Sequence, residues 1–133
     1  MGATDYTIIV NEARPASLVG ASPLELAKAI AGFLDDKKGH EIKVLYVEDK
    51  TSIADYFVLC TGNSGTQVKA LAGEVEYKTE LAGVSPDNVE GRGNNSWIVL
   101  DYGNVVVHVF HREAREFYNL DKLYSDNQPI LEI

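Results

Sequence analysis

The sequence predicts a single α/β domain in which helices flank a mixed β-sheet. The chain has 133 residues, about the length of one domain. Apolar residues recur at helical spacing in two segments, and four stretches rich in β-branched and aromatic residues have the pattern of strands. Because these segments alternate along the chain, we expect one layered domain.

The first predicted helix begins at a capping box, Ser22-Pro23-Leu24-Glu25, and ends at Gly39. Residues 42–47 alternate in β-branched and aromatic residues and predict a strand. Residues 56–61 are mostly apolar, which is typical of a strand at the centre of a sheet. The chain is therefore expected to enter the sheet twice before its second helix.

The second predicted helix follows a break at residues 62–65, where Asn63 or Ser64 can cap it, and Gly83 stops it. Its expected buried stripe is Val68, Leu71, Ala72, Val75 and Thr79. A short edge strand is expected near Val89. A last helix is expected over residues 113–123.

We assign residues 22–126 to the domain. Residues 1–21 are expected to be a flexible N-terminal tail, with a short strand at Thr7–Val10 as the alternative. Residues 127–133 are expected to be a C-terminal tail.

Residues 97–102 and 105–110 predict two strands joined by the two-residue turn Gly103-Asn104, and this turn fixes their register. One face of the hairpin is apolar throughout and is expected to pack under the helices. The other, mixed face pairs Trp97 with Phe110, Val99 with His108 and Asp101 with Val106. Either another molecule covers the mixed face, since aromatic residues are enriched at interfaces, or another helix of this chain does, with His108 hydrogen-bonded.

The sequence contains no self-sufficient catalytic set. Residues 62–66 lie between a strand and a helix, but no Gly-Lys-Ser/Thr follows them, as a phosphate loop requires. His108 and His111 are expected on opposite faces of a strand, so they cannot share a metal. Cys60, the only cysteine, is expected to be an inert buried residue. We therefore expect no cofactor and no metal.

Twenty acidic and twelve basic residues give a net charge of −8, of which −4 falls from Val84 onward. This balance argues against direct binding to duplex nucleic acid but is compatible with a basic protein partner. No apolar run approaches the ~20 residues of a membrane span, and no signal peptide is visible. With a single cysteine, which fits a reducing compartment, we expect a cytoplasmic protein without a membrane partner.

The chain strongly resembles the ribosomal silencing factor family, the Iojap-related proteins, over about residues 24–126. The motifs that carry the resemblance are Ser52-Ile53-Ala54-Asp55-Tyr56-Phe57, Thr61-Gly62-Asn63-Ser64, Gln67-Val68-Lys69-Ala70, Glu90-Gly91, the run from Trp97 to Phe110, Phe117-Tyr118-Asn119-Leu120 and Asp126. Two positions depart from the family pattern: Asn104 replaces an Asp in the turn, and Tyr124 stands where a Trp is common.

The resemblance implies a nucleotidyltransferase-like topology without a working active site. It also implies binding to the large ribosomal subunit through ribosomal protein number fourteen and a steric block to docking of the small subunit, which represses translation. A role in large-subunit assembly is one alternative. An active nucleotide-binding or nucleotidyltransferase-like enzyme is the other, and we reject it because no Asp-x-Asp or Asp-x-Glu pair follows Gly62-Asn63-Ser64.

The resemblance and the hairpin register together give the expected interface. Its candidate residues are Trp97, Asp101, Tyr102, His108, Phe110, Asp55 and Glu90. Trp97 and Phe110 are expected to be apolar anchors, and the three acids are expected to meet basic groups. Core packing is the alternative for Tyr102, a strand-start cap for Asp55 and a loop-shaping role for Glu90. A homodimer through the exposed hairpin edge is also plausible.

Overall fold

The first helix starts at a reciprocal capping box. The structure is a computed structural model that describes residues 14–125 and 128–133. In it, the Ser22 hydroxyl accepts a hydrogen bond from the backbone N–H of Glu25 at 3.1 Å, and the Glu25 carboxylate accepts one from the N–H of Ser22 at 3.0 Å. The predicted helix start is confirmed. The helix ends at Asp36, slightly before the predicted stop at Gly39.

Four helices and six strands make up the described part of the chain. The helices are α1 (Pro23–Asp36), α2 (Gly65–Leu81), α3 (Arg112–Tyr118) and α4 (Leu120–Leu123). The strands are β1 (His40–Tyr46), β2 (Tyr56–Gly62), β3 (Asn88–Glu90), β4 (Trp97–Asp101), β5 (Val105–His111) and β6 (Pro129–Glu132).

The strands form one mixed sheet in the order β3-β4-β5-β2-β1-β6. Strands β2 and β5 are parallel, while the other neighbouring pairs are antiparallel. The predicted α/β class is confirmed, and β2 lies in the interior of the sheet, as its continuous apolar run predicts.

The hairpin register is the one that the turn predicts. Trp97 lies opposite Phe110, Val99 opposite His108 and Asp101 opposite Val106. The predicted edge strand near Val89 is β3, which pairs with β4 over three residues. It covers the hairpin edge that was expected to be available for self-association, so the outer strands of the sheet are β3 and β6.

Each face of the sheet carries its own apolar core. Helices α1 and α2 pack on one face, where the predicted stripe of α2 is buried from Val68 to Thr79. Ser64 caps α2 by accepting a hydrogen bond from the N–H of Gln67 at 3.1 Å. Residues of α3, α4 and their flanks pack on the other face, so the domain has helices on both sides of the sheet.

The last predicted helix is two helices rather than one. Asn119 lies between α3 and α4 with a φ of 50°, in the left-handed region that Asn tolerates better than most residues. Its side chain then accepts a hydrogen bond from the N–H of Lys122 at 3.3 Å and so starts α4. Helical periodicity alone does not reveal this break.

The prediction that residues 127–133 form a C-terminal tail was wrong for residues 129–132. These residues are strand β6, which pairs antiparallel with β1. Ile133 extends the pairing, because its backbone exchanges hydrogen bonds with that of Ile42 at 2.8 and 3.3 Å. A proline and only four residues gave the segment a weak strand signal, and the free edge of β1 supplied the pairing that makes it a strand.

Most of the predicted N-terminal tail lies outside the described residues, including the alternative strand at Thr7–Val10. The described part, residues 14–21, is tied to the end of α2 by a hydrogen bond of 2.9 Å from the N–H of Leu18 to the carbonyl of Ala82. No helix among the described residues is long and apolar enough to span a membrane.

Candidate functional site

The mixed face of the hairpin is part of an aromatic cluster, and other segments of this chain cover that cluster. Phe110 stacks on Trp97 with 5.0 Å between ring centroids. The ring of Phe57 in β2 packs in a T-shaped arrangement with that of Tyr124, which follows α4, with 5.3 Å between the ring centroids. Ala114 and Leu120 of α3 and α4 pack on the same cluster. Of the two explanations for this face, the structure supports a cover made by helices of the same chain.

This cover corrects two of the expected interface residues. Phe110 is fully buried and His108 is 7% exposed, so neither side chain lies on the surface that a partner meets. Phe110 is therefore part of the core rather than an exposed anchor. The wrong assignment arose because the strand pattern shows that the two residues share a face with Trp97 but not that α3 and α4 fold over that face.

Tyr124 packs as a core residue. It is 8% exposed and lies against Phe57. At this position the family pattern often has a Trp, and the structure shows the Tyr serving in packing. Asn104, the other departure, keeps the turn: its carbonyl accepts hydrogen bonds from the N–H groups of Asp55 and Tyr56 at 2.9 and 3.1 Å.

Trp97 lies at the border between the buried cluster and solvent. It is half-buried, and its ring centroid is 4.5 Å from that of Tyr118, which is 52% exposed. Phe117 is 80% exposed and meets Tyr118 edge to face, and Leu123 is 65% exposed. We call Trp97, Phe117, Tyr118 and Leu123 the aromatic surface.

Three members of the aromatic surface, Phe117, Tyr118 and Leu123, were not predicted from the sequence. Phe117 and Tyr118 are adjacent on α3, so their side chains leave the helix axis about 100° apart, and a helix this short is less able to bury two large rings in that arrangement. That adjacency was the available signal. The groove beside them is lined by Tyr118, Asn119, Lys122 and Leu123, so the left-handed Asn119 that breaks the helix also shapes this surface.

An ion pair between the buried Arg115 and the partly buried Asp121 holds the aromatic surface on the sheet. Arg115 of α3 is 6% exposed and donates to both carboxylate oxygens of Asp121 in α4, at 3.0 and 2.9 Å. It also donates to the Thr61 hydroxyl of β2 at 2.9 Å and to the Glu41 carbonyl of β1. Arg115 thus fixes two short helices that bury few apolar side chains of their own.

Two of the three expected acidic residues, Asp101 and Asp55, lie near the hairpin turn. The Asp101 carboxylate accepts a hydrogen bond from the Gly103 N–H at 2.8 Å, and the Asp55 N–H donates to the Asn104 carbonyl at 2.9 Å. Trp97 stands at the other end of β4, four residues away, which is about 13 Å along a strand. Glu90 is exposed on the edge strand β3 and accepts a hydrogen bond from Asn88 at 2.9 Å.

Tyr102 lies apart from this surface. It packs against the core under α1 and α2, and its hydroxyl shares a hydrogen bond of 2.8 Å with the Thr79 hydroxyl. Burial raises the pKa of Tyr102 to about 12, so it stays a neutral phenol. Of the two roles expected for Tyr102, the structure therefore supports packing against the core.

The loop that resembles a nucleotidyltransferase motif is engaged in internal hydrogen bonds. Arg112 donates to the Asn63 side-chain oxygen at 3.0 Å, and the Asn63 amide nitrogen lies 3.0 Å from Nε2 of His40. The Ser64 hydroxyl caps α2. Among the described residues, no group of three or more His, Cys, Asp or Glu side chains could hold a metal ion. Burial raises the pKa of the Cys60 thiol to about 12, so it is not a ready nucleophile.

The family model and relatives that this chain matches carry ribosomal silencing factor or Iojap names. Residues 21–133 match the family model described as "Ribosomal silencing factor during starvation". The ribosomal silencing factor of Bacillus subtilis is 41% identical over 101 residues, which are 76% of this chain and 86% of that protein. The chloroplastic protein Iojap of Zea mays is 31% identical over 116 residues, which are 83% of this chain and 48% of that protein.

Two solved structures have the same fold. A crystal structure of a Chromobacterium violaceum protein, 36% identical, superposes with a TM-score of 0.75 and covers 78% of this chain and 87% of its own. A crystal structure from Bacillus halodurans, 38% identical, gives a TM-score of 0.65 and covers 76% of this chain and 91% of its own.

The fold and the matches define the class: a single-domain α/β protein with a six-strand mixed sheet, similar to regulators named for ribosome silencing. The chain belongs to the ribosomal silencing factor family.

Proposed function

We propose that this protein binds the large ribosomal subunit through ribosomal protein number fourteen and prevents the small subunit from joining by occupying its place. The family membership supports a ribosomal target, and the proposal places the protein in the cytoplasm. The observation that carries it is the aromatic surface, in which Phe117, Leu123 and Tyr118 are 80, 65 and 52% exposed. Contiguous exposed aromatic and aliphatic side chains mark protein interaction sites.

A single protein partner would be large enough to contact both the aromatic surface and Asp101. The aromatic surface lies at one end of β4 and Asp101 at the other, about 13 Å apart along the strand. A standard interface buries roughly 800 Å² on each partner, which is wide enough to include both. The apolar residues would supply the centre of the interface and the acids its polar rim.

The net charge of −8 supports a basic partner. Opposite charges speed encounter and orient the two molecules, and a ribosomal protein with basic groups offers that charge. A bare RNA duplex would instead be repelled, which argues against direct contact with duplex nucleic acid as the main source of affinity.

Steric occlusion requires no chemistry. A domain of 14.6 kDa held at the joining face would exclude the small subunit by its volume alone. The internal engagement of Asn63 and Ser64 favours this binding role over a transferase, because those polar groups already have partners within the chain.

Co-sedimentation of the purified protein with separated ribosomal subunits on sucrose gradients tests the proposal. We expect the protein to travel with large subunits and not with small ones, and to inhibit formation of the joined ribosome. Capture by isolated ribosomal protein number fourteen tests the named partner. Migration with neither subunit would contradict the function, and migration with large subunits without capture would contradict the named partner.

A matched pair of variants tests the surface. Phe117→Ala removes the most exposed ring of the aromatic surface and is expected to weaken binding at least tenfold, since truncating an interface anchor costs about 2 kcal/mol or more. Tyr77→Ala is the control, because Tyr77 is 55% exposed on α2, over the other face of the sheet. Equal affinity of the two variants would exclude the aromatic surface from the interface.

A further inference from the structure

The imidazole of His108 lies inside the aromatic cluster, surrounded by rings. It is 7% exposed. Its ring centroid is 4.6 Å from that of Phe57, which it meets edge to face, and 5.8 Å from that of Phe110, which it stacks with. A phenylalanine would fill such a place without any polar atom to satisfy.

His108 makes one hydrogen bond that an apolar ring at this position could not make. The indole N–H of Trp97 donates a hydrogen bond to Nδ1 of His108 at 3.1 Å. An indole nitrogen is a donor only, and in this partly buried contact His108 supplies its acceptor. Val99, directly opposite His108 in the strand pair, has no side-chain acceptor to offer.

This contact determines the tautomer of the imidazole. Because Nδ1 accepts, the proton of the neutral ring lies on Nε2. Nε2 is buried and makes no hydrogen bond with any of the residues that the structure describes. Leaving a buried donor unpaired costs about 1–3 kcal/mol, so stability alone does not explain a histidine here.

The imidazole stays an acceptor at neutral pH. Burial lowers the pKa of His108 to about 4, so the ring is uncharged under ordinary conditions. A charged ring would carry a proton on Nδ1 and could no longer accept from the indole.

We infer that His108 is a positioning residue for the aromatic surface: its hydrogen bond fixes the indole of Trp97, against which Tyr118 packs. This inference rests on the proposed function, because it explains how the binding surface is held ready. Stacking on Phe110 leaves an indole free to slide and turn in its plane, whereas a directional hydrogen bond to its one donor removes that freedom. A surface ordered before binding loses less entropy when it binds.

Two variants at one position test the inference. His108→Leu removes the acceptor and keeps an apolar side chain of similar size, while His108→Asn restores an oxygen acceptor near Nδ1. Trp97 is the only tryptophan, so the fluorescence and the indole N–H resonance come from this one ring, and the N–H resonance senses the hydrogen bond directly. We expect His108→Leu to shift the resonance and to weaken binding to large subunits about 5- to 10-fold, the loss typical of one hydrogen bond. His108→Asn is expected to recover most of both.

A double-mutant cycle distinguishes positioning from a general effect on folding. Trp97→Phe keeps a ring but has no N–H, so His108→Leu should cause no further loss of affinity in that background. An equal loss in both backgrounds, or an unchanged indole resonance in His108→Leu, would overturn the inference. Circular dichroism of each variant confirms that it is folded.

The failure of this inference differs from the failure of the proposed function. If Phe117→Ala weakens binding and His108→Leu does not, the positioning role is wrong and the proposed surface stands. If wild-type protein does not bind large subunits, the proposed function fails and this inference fails with it.

Discussion

Burial of His108 makes the stability of the folded protein depend on pH. Its pKa in the folded state is about 4, below the ordinary value of 6.5, because the charged imidazole would lose its hydration inside the aromatic cluster. Between these two pH values the unfolded chain binds a proton that the folded chain does not bind. The free energy of unfolding therefore falls as the pH decreases from 6.5 to 4.

We predict that this loss reaches about 3 kcal/mol by pH 4 and disappears in His108→Asn, which cannot titrate. Urea unfolding at a series of pH values measures it. The same pH dependence in wild type and variant would show that another group causes it.

Tyr102 gives a second test at the residue scale, because it is partly buried against the core and lies apart from the aromatic surface. Tyr102→Phe removes the hydrogen bond of 2.8 Å to Thr79 and should lower the free energy of unfolding by about 1 kcal/mol. Binding to large subunits should not change. A loss of affinity with unchanged stability would return Tyr102 to the interface.

At the scale of elements, a polar network attaches α3 and α4 to the sheet. Arg115 and Asp121 form its centre, and Lys43 of β1 lies 3.2 Å from Asp121 and 3.8 Å from Glu132 of β6. The Arg115 guanidinium, and Lys43 to a lesser degree, lower the pKa of Asp121 to about 2. The stability that this carboxylate contributes is fully present above its ordinary pKa of 3.8 and is lost as the pH falls toward 2, below the range of His108.

We predict that Arg115→Met lowers the free energy of unfolding by about 3 kcal/mol, since it leaves the Asp121 carboxylate without its main partner. Adding Asp121→Leu should restore part of this loss, because it removes the acid that has lost its main partner and retains only Lys43 among the described residues. Denaturant titration of both variants measures the difference. A double variant less stable than Arg115→Met would contradict the explanation.

At the scale of the whole molecule, the net charge of −8 is the property that the proposed basic partner would recognise. Asp101 is the acid to test because it lies on the same face of β4 as Trp97. Its carboxylate also holds the hairpin turn, so reversing its charge would disturb the fold. Asp101→Asn keeps the acceptor for the Gly103 N–H and removes only the charge.

We predict that Asp101→Asn weakens binding to large subunits at low salt and makes the remaining binding less sensitive to salt. Asp36→Asn, at the end of α1 on the other side of the sheet, is the matched control and should behave as wild type. Co-sedimentation across a salt series compares them. Identical salt dependence for the two variants would remove Asp101 from the interface.

The expected homodimer also belongs to this scale and stays a prediction. With β3 covering the hairpin edge, the sheet edges open to another copy are those of β3 and β6 among the described residues. Sedimentation of the free protein measures self-association.

Local rules account for what the sequence predicted well. The capping box at Ser22, the stripe of α2 from Val68 to Thr79 and the hairpin register all depend on residues close together in the chain. Strand β6 and the break at Asn119 were missed because their signals are weak without neighbours. A four-residue strand forms only where another strand offers an edge, and an Asn in a helical pattern breaks it only when the surroundings favour the left-handed conformation.

The sequence by itself determined the α/β class, the central place of β2, the mixed face of the hairpin and, through its motifs, the family. Only the tertiary structure decided which residues of that face are accessible. Strand alternation assigns Trp97, His108 and Phe110 to one side, but whether a side chain meets solvent depends on what packs above it. Here α3 and α4, attached through the Arg115–Asp121 pair, cover the face that holds Phe110 and His108 and leave Trp97 at their border. They present Phe117 and Tyr118 to solvent instead.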